Sequence, residues 1–167
     1  FYLFGHHTGA AIAAEIAAAF PARVRKLALS GPPVLAEAQK QSLRERLPDM
    51  TLDAEGQLLR DIWARMRRNP GLPLEISLRE AMSALQSRDQ YLAAYEAVFA
   101  HDLASALRAV RCPTLLFAGQ DDSLVNCLEP ASSLLPDAEV VVLPEGDTYI
   151  CETHTQLVAD LLRSFLV

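Results

Sequence analysis

The chain has 167 residues, of which 51% are hydrophobic and 22% charged, a balance typical of one soluble globular domain with a sizeable core. Its net charge of -6 weighs against nucleic-acid binding, and no apolar run reaches the roughly 20 residues that a membrane span needs. The three cysteines, Cys112, Cys127 and Cys151, show no Cys-x-x-Cys spacing. They predict no disulfide framework and favour a reducing cytoplasm.

The chain opens on a short apolar strand that runs into Gly5-His6-His7-Thr8-Gly9 and then into an alanine-rich helix ending near Phe20. This order of elements is the geometry of a nucleophile elbow. In such an elbow a strand leads through a sharp turn into a helix, and a glycine lies two places on either side of the central residue of the turn. His7 holds the central position, and its side chain is expected to stand above the edge of a parallel sheet. The neighbouring His6 is expected to be structural.

The sequence begins at Phe1, without a methionine, and directly in a strand. A strand of this kind usually lies inside a sheet, with a neighbour on each side. We therefore expect an N-terminally truncated chain with an open strand edge at residues 1–4. An open edge invites pairing, and we predict that it is available for a homodimer.

The remaining elements alternate between strand and helix patterns. Residues 25–31 form a second apolar strand that completes a βαβ unit, and the apolar runs 113–119 and 138–144 are typical of strands buried on both faces of a parallel sheet. Helical patterns cover the following ranges: 35–47, 53–68, 74–87, 90–110 with a break near His101, 127–135 and 155–166. The sequence predicts an α/β core at 1–33 and 111–167 with an all-helical insertion at 34–110.

Four segments carry a family resemblance: Gly5 to Gly9, Leu29-Ser30-Gly31-Pro32-Pro33, Cys112 to Asp122 with its Gly-x-x-Asp ending, and Leu134 to Pro144, which leads into the final loop. In this order, with a helical insertion after the second, the chain resembles the C-terminal two thirds of an α/β-hydrolase fold protein with its cap domain. The resemblance covers essentially the whole chain. It implies a parallel sheet flanked by helices and a hydrolase acting on an ester, an acyl group or a carbon–carbon bond next to a carbonyl. An apolar cap favours a small apolar substrate.

The resemblance also implies roles for particular residues. The acid is Asp122, three places after Gly119, with Asp121 as the second choice; two aspartates also suit a plain turn. The family histidine is expected shortly after the last strand, where this chain has Thr148, and the nearest substitute is His154. The backbone N–H of Thr8 supplies half of an oxyanion hole.

The other half of the oxyanion hole belongs to an earlier segment of the family fold. This chain lacks that segment, so we expect the chain alone to be inactive. No glycine-rich phosphate cradle, dinucleotide fingerprint or metal-ligand spacing occurs in it, and we therefore expect neither a cofactor nor a metal.

Three interpretations of His7 remain open. His7 acts as a nucleophile or general base itself, or it forms a dyad with Asp122 that activates water. In the third interpretation the site is degenerate, because histidine is among the residues that tolerate the left-handed backbone of an elbow. The protein is then a catalytically silent family member that binds a small ligand or a partner protein.

Overall fold

A computed structural model describes all residues 1–167 and confirms the α/β fold class. Four parallel strands form one sheet in the order β1-β2-β3-β4. The strands are β1 (Tyr2–His6), β2 (Lys26–Ser30), β3 (Thr114–Gly119) and β4 (Ala138–Leu143). The α-helices are α1 (Thr8–Ala19), α2 (Glu37–Arg44), α3 (Gln57–Met66), α4 (Leu74–Ser87), α5 (Asp89–Ala100), α6 (Leu103–Ala109), α7 (Leu128–Ser132), α8 (Ile150–Thr153) and α9 (Thr155–Leu166). A short 3-10 helix, Val125–Cys127, precedes α7.

The chain divides into two compact units, a sheet unit (Phe1–Leu35 and His101–Val167) and a helical unit (Ala36–Ala100). The sequence predicts an insertion over 34–110, which continues ten residues past the end of the helical unit at Ala100. Those residues belong to the sheet unit because α6 packs on α1, where Leu103 and Leu107 are buried among the α1 alanines. The predicted break near His101 therefore falls at the boundary between the units.

Helices cover both faces of the central strands. On one face, buried alanines of α1 such as Ala10 and Ala14 lie against Leu27 and Leu29 of β2. Methyl side chains let this helix lie close to the sheet, and the resulting core fixes the direction in which α1 leaves the elbow. On the other face, the core is built from residues of β2, β3, β4, α8 and α9: Ala28, Leu115, Phe117, Leu143, Ile150 and Val158.

The prediction that the 138–144 strand is buried on both faces was wrong. β4 pairs only with β3 and forms an edge of the sheet, and Val140 and Val142 are 43% and 52% exposed. A continuous valine run therefore does not distinguish a central strand from an edge strand. β1 forms the opposite edge with exposed Phe1, Tyr2 and Phe4, and a homodimer at that edge stays a prediction.

The helical unit has its own core between α3 and α4, the buried residues being Met50, Leu58, Ile62, Met66, Ala81 and Ala84. The α3 helix begins at Gln57 because the Asp53 carboxylate accepts the amide N–H groups of Gln57 and Leu58 at 2.7 and 3.0 Å. No helix in the chain combines the length and the hydrophobicity that crossing a bilayer demands. The three cysteines are free.

Candidate active site

His7 alone forms the turn between β1 and α1. Its backbone has φ 49° and ψ -112°, a conformation that non-glycine residues adopt only when the surrounding structure imposes it. The His7 N–H donates to the Ser30 carbonyl at 2.8 Å, and the His7 carbonyl accepts the N–H of Ala10 at 2.9 Å. These two bonds hold the residue between β2 and the first turn of α1. The structure thus contains the strand, turn and helix that the motif predicts.

The imidazole of His7 is hydrogen-bonded to Asp122, which lies in the loop after β3. The His7 Nε2 atom is 3.0 Å from Asp122 Oδ1 and 2.9 Å from Oδ2. The Asp122 side chain is fully buried, whereas the His7 side chain is 20% exposed. Because an ionised carboxylate only accepts hydrogen bonds, Nε2 carries the proton of this contact.

The other ring nitrogen of His7, Nδ1, has no hydrogen-bond partner, since both contacts of the ring are made by Nε2. His101 Nε2 is the one fully buried side-chain nitrogen or oxygen atom without a hydrogen-bond partner, and it lies 3.7 Å from Glu15 Oε2. His7 Nδ1 is not among the fully buried atoms, and the His7 side chain as a whole is 20% exposed. A neutral His7 presents there a basic lone pair.

Asp122 is held in its ionised form. Burial alone raises the pKa of this carboxyl, but the hydrogen bond and charge of His7 and the amide N–H of Leu124, 2.8 Å from Oδ1, outweigh that effect. The net result is a pKa below the ordinary aspartate value. Asp121, the second choice from the sequence, is exposed on the surface, and Asp122 is the aspartate that is hydrogen-bonded to His7.

His6 contributes a second imidazole beside the first. Its ring stacks on that of His7 with 4.3 Å between centroids and 26° between planes. The Nδ1 atom of His6 lies 3.0 Å from Ser30 Oγ, and its Nε2 atom lies 2.9 Å from the Thr148 carbonyl oxygen. Burial, followed by the charge of His7, lowers the pKa of His6 below its ordinary value.

His154 does not join this pair. Its Nε2 atom contacts Glu145 Oε2 at 3.2 Å, and its Nδ1 atom lies 2.9 Å from Thr153 Oγ1. The junction between α8 and α9 that carries His154 gives it these partners in place of Asp122. The structure therefore brings together two of the three candidate side chains from the sequence, His7 and Asp122.

Thr148 and Thr8 are two further residues that the sequence associates with the site. The Thr148 carbonyl accepts the His6 ring N–H, and its Oγ1 atom is 3.5 Å from Ser123 Oγ, one residue after the acid. Thr8 is exposed and begins α1, so its amide N–H has no acceptor within the helix. An N–H at that point can donate to a developing oxyanion.

Gly31 and the bonding of His6 are site features that the sequence analysis missed. Gly31 has φ +54°, and a Cβ atom there would lie 2.7 Å from His7 Cδ2 and 2.8 Å from His7 Nε2. The missing side chain at Gly31 thus makes room for the imidazole. The sequence holds only one signal for it, the glycine that directly follows the second strand.

Gly31→Ala is expected to displace the His7 ring from Asp122 and to destabilise the protein by about 1 kcal/mol. Gly56→Ala is the matched control, because Gly56 also has positive φ (+72°) but a Cβ there meets no atom closer than 3.8 Å. Both variants should lose stability in urea denaturation, and only Gly31→Ala should change the NMR signals of the His7 ring. Equal His7 spectra in both variants would show that Gly31 does not make room for the ring.

The free energy of unfolding is expected to fall as the pH drops below about 6.5, the ordinary histidine value. The pKa of His6 is lower in the folded protein than in the unfolded chain. As the pH falls below 6.5, the unfolded chain therefore takes up a proton at His6 before the folded protein does. This difference reduces the free energy of unfolding until the pH reaches the lower pKa of the folded state. The lowered pKa of Asp122 acts in the same direction further into acid, as the pH falls through its folded value. Urea denaturation from pH 8 to pH 5 measures this slope.

His6→Gln removes the titrating ring and should therefore flatten the upper part of that stability profile. Parallel profiles for His6→Gln and the wild type would contradict the assignment.

Comparison with known proteins agrees with this geometry. A family model described as alpha/beta hydrolase fold matches residues 1–155. A 2-(acetamidomethylene)succinate hydrolase from Mesorhizobium japonicum is 30% identical over 180 residues, an alignment that covers 98% of this chain and 63% of that protein. The chain thus spans less than two thirds of the length of this relative.

Solved structures share the same fold. The crystal structure of an E-2-(acetamidomethylene)succinate hydrolase matches with a TM-score of 0.70 and 22% identity, over 98% of this chain and 66% of the other. A bromoperoxidase from Bacillus anthracis matches with a TM-score of 0.77 and 17% identity, over 99% of this chain and 66% of the other. The family match over residues 1–155 shows that the chain belongs to the α/β hydrolase fold family.

Proposed function

We propose that the protein hydrolyses an ester or a related acyl bond, or a carbon–carbon bond next to a carbonyl, in a small apolar substrate, with His7 as general base and Asp122 as the group that orients it. One observation carries the proposal: a buried carboxylate holds His7 Nε2 at 2.9 Å, while Nδ1 makes no hydrogen bond within the protein and the side chain is 20% exposed. This is the dyad interpretation among the three that the sequence leaves open. A histidine with one nitrogen on a carboxylate and the other nitrogen free is built to take a proton.

The chemistry for an ester follows from these positions. A water molecule gives a proton to His7 Nδ1 while its oxygen attacks the carbonyl carbon. Asp122 stays ionised and stabilises the imidazolium, and the Thr8 N–H donates to the oxyanion of the tetrahedral intermediate. The intermediate expels the alkoxide, which takes the proton back from Nδ1, and the products are a carboxylic acid and an alcohol.

The surroundings of the site favour an uncharged substrate. Two carboxylates, Asp122 and Glu152, lie close enough to His6 to act on its charge, and both repel an anion. The relative from Mesorhizobium japonicum is named a hydrolase, which supports hydrolysis as the reaction type. We assign the protein to a reducing compartment such as the cytoplasm on its free cysteines.

A catalytically silent protein that binds a small ligand or a partner is the second candidate. The observation that favours it is the absence of a second base: Thr148 stands where the family histidine is expected, and His154 is bonded to Glu145 and Thr153. In this alternative the His7 and Asp122 pair serves only to hold the elbow. The two candidates differ in whether Asp122 matters for turnover.

The deciding experiment uses protein expressed from its complete reading frame and p-nitrophenyl acetate, butyrate and octanoate. Hydrolysis above that of free imidazole at equal concentration is expected, with Asp122→Asn lowering kcat about 10²-fold or more, since the amide favours the wrong tautomer of the base. Asp121→Asn, one residue away and exposed, is the matched control. Absent turnover, or equal turnover in Asp122→Asn and wild type, would favour the silent protein.

A further inference from the structure

We propose that His6 is a positioning residue for His7: fixed at both ring nitrogens, it holds the His7 imidazole by stacking and ties the loop after β4 to the elbow. The inference rests on the proposed function where it concerns turnover. It concerns a residue that contacts His7 and lies outside the pair that performs the chemistry. Its evidence is the set of contacts around the His6 ring.

The tautomer of His6 follows from its partners. A carbonyl oxygen only accepts hydrogen bonds, so His6 Nε2 donates its proton to the Thr148 carbonyl at 2.9 Å. In the neutral ring Nδ1 is then the acceptor, and the Ser30 hydroxyl donates to it at 3.0 Å. Because one ring nitrogen is bonded to Ser30 of β2 and the other to Thr148 of the loop after β4, the His6 ring has one orientation available.

The fixed His6 ring limits the movement of the His7 ring. The two imidazoles stack with 4.3 Å between centroids, and Gly31 approaches His7 so closely that a Cβ there would overlap Cδ2 and Nε2. His7 is therefore confined by the His6 ring, the Gly31 backbone and the Asp122 carboxylate. These three contacts keep Nε2 on Asp122 and leave Nδ1 without a hydrogen bond.

The same hydrogen bonds couple the elbow to a distant part of the sequence. Thr148 lies in the loop 144–149 between β4 and α8, 142 residues along the chain from His6. In this chain the loop lacks the family histidine, and its link to the elbow is the backbone carbonyl of Thr148. The contact survives any change of the Thr148 side chain, since it uses the main chain alone.

The test separates stacking from hydrogen bonding with two variants in the full-length protein. His6→Phe keeps an aromatic face against His7 but loses both hydrogen bonds, and His6→Gln keeps an N–H for the Thr148 carbonyl but loses the stack. We expect each to lower kcat for p-nitrophenyl butyrate about 10-fold or more with KM nearly unchanged, because misplacing a catalytic group by 1 Å costs up to about 10²-fold. His101→Gln, two residues before α6, is the histidine control.

A second readout is independent of turnover. Long-range ¹H–¹⁵N NMR spectra of the His7 ring should show one tautomer in the wild type and a mixture or broadened signals in both His6 variants. If no preparation turns over any ester but the His7 spectra still change, the positioning role stands and the proposed function fails. Unchanged kcat per folded molecule together with unchanged His7 spectra would overturn the positioning role.

Ser30→Ala covers the case in which the His6 variants do not fold. It removes only the hydroxyl that donates to His6 Nδ1 and leaves the stack in place. We expect the His6 ring to lose its single orientation and the His7 spectra to show a second state. A Ser30→Ala spectrum identical to the wild type at both histidines would overturn the proposal without reference to activity.

Discussion

His7→Gln is expected to lower kcat for p-nitrophenyl esters about 10²- to 10⁴-fold, the usual contribution of a general base. Glutamine keeps an N–H that can donate to Asp122, but it has no basic nitrogen in place of Nδ1. The variant therefore preserves the contact with the buried carboxylate while removing the proposed chemistry. Initial rates between pH 6 and pH 9 measure the loss, and circular dichroism confirms that the variant is folded.

The matched control for this measurement is His154→Gln. Its histidine contacts Glu145 and Thr153 and has no bond to His7 or Asp122, so kcat should stay within about twofold of the wild type. The reverse pattern, an active His7→Gln and an inactive His154→Gln, would assign the base to His154 and require a different path for the loop that carries it.

Gly5→Ala is expected to destabilise the protein by about 3 kcal/mol or more, a large effect for a single methyl group. A Cβ at Gly5 would lie 2.2 Å from the Gly9 carbonyl oxygen and 2.8 Å from the Ala10 Cα. Both atoms are backbone, so the clash is relieved only by moving the first turn of α1 away from β1. Urea denaturation of the two proteins measures the difference.

Gly9→Ala, the other glycine of the same motif, is the matched control. A Cβ at Gly9 meets nothing within 4 Å, and alanine is favoured over glycine in a helix by up to about 1 kcal/mol. Gly9→Ala should therefore leave the stability unchanged or raise it. Similar losses in both variants would mean that the motif is needed for its backbone conformation and that the close approach of helix and strand is unimportant.

The elbow was predictable because its determinants are local. A strand, two glycines around His7 and an alanine-rich helix lie within twenty residues, and the structure places β1, the turn and α1 accordingly. The choice of Asp122 as the acid came from its spacing to Gly119, which the family resemblance supplied, and its catalytic role stays a prediction. Its hydrogen bond to His7 joins residues 115 positions apart, and that pairing was one of three interpretations left open by the sequence.

The exposure of β4 and the hydrogen bonds of His6 were not predictable from one sequence. Val140 and Val142 have the composition of a buried strand, and their exposure depends on which strands pair with β4. The hydrogen bond from His6 to Thr148 depends on the path of the loop after β4, and no residue pattern near His6 encodes it. Both features depend on contacts between segments that are far apart in the chain.

The measurement that tests the central claim most directly is a long-range ¹H–¹⁵N NMR spectrum of the His7 ring, recorded at a pH where the ring is neutral. The geometry predicts a proton on Nε2, shared with Asp122, and a bare Nδ1, with this pattern lost in Asp122→Asn. A proton on Nδ1 in the wild type, or a His7 spectrum that is unchanged in Asp122→Asn, would contradict the pairing on which the proposed hydrolysis depends.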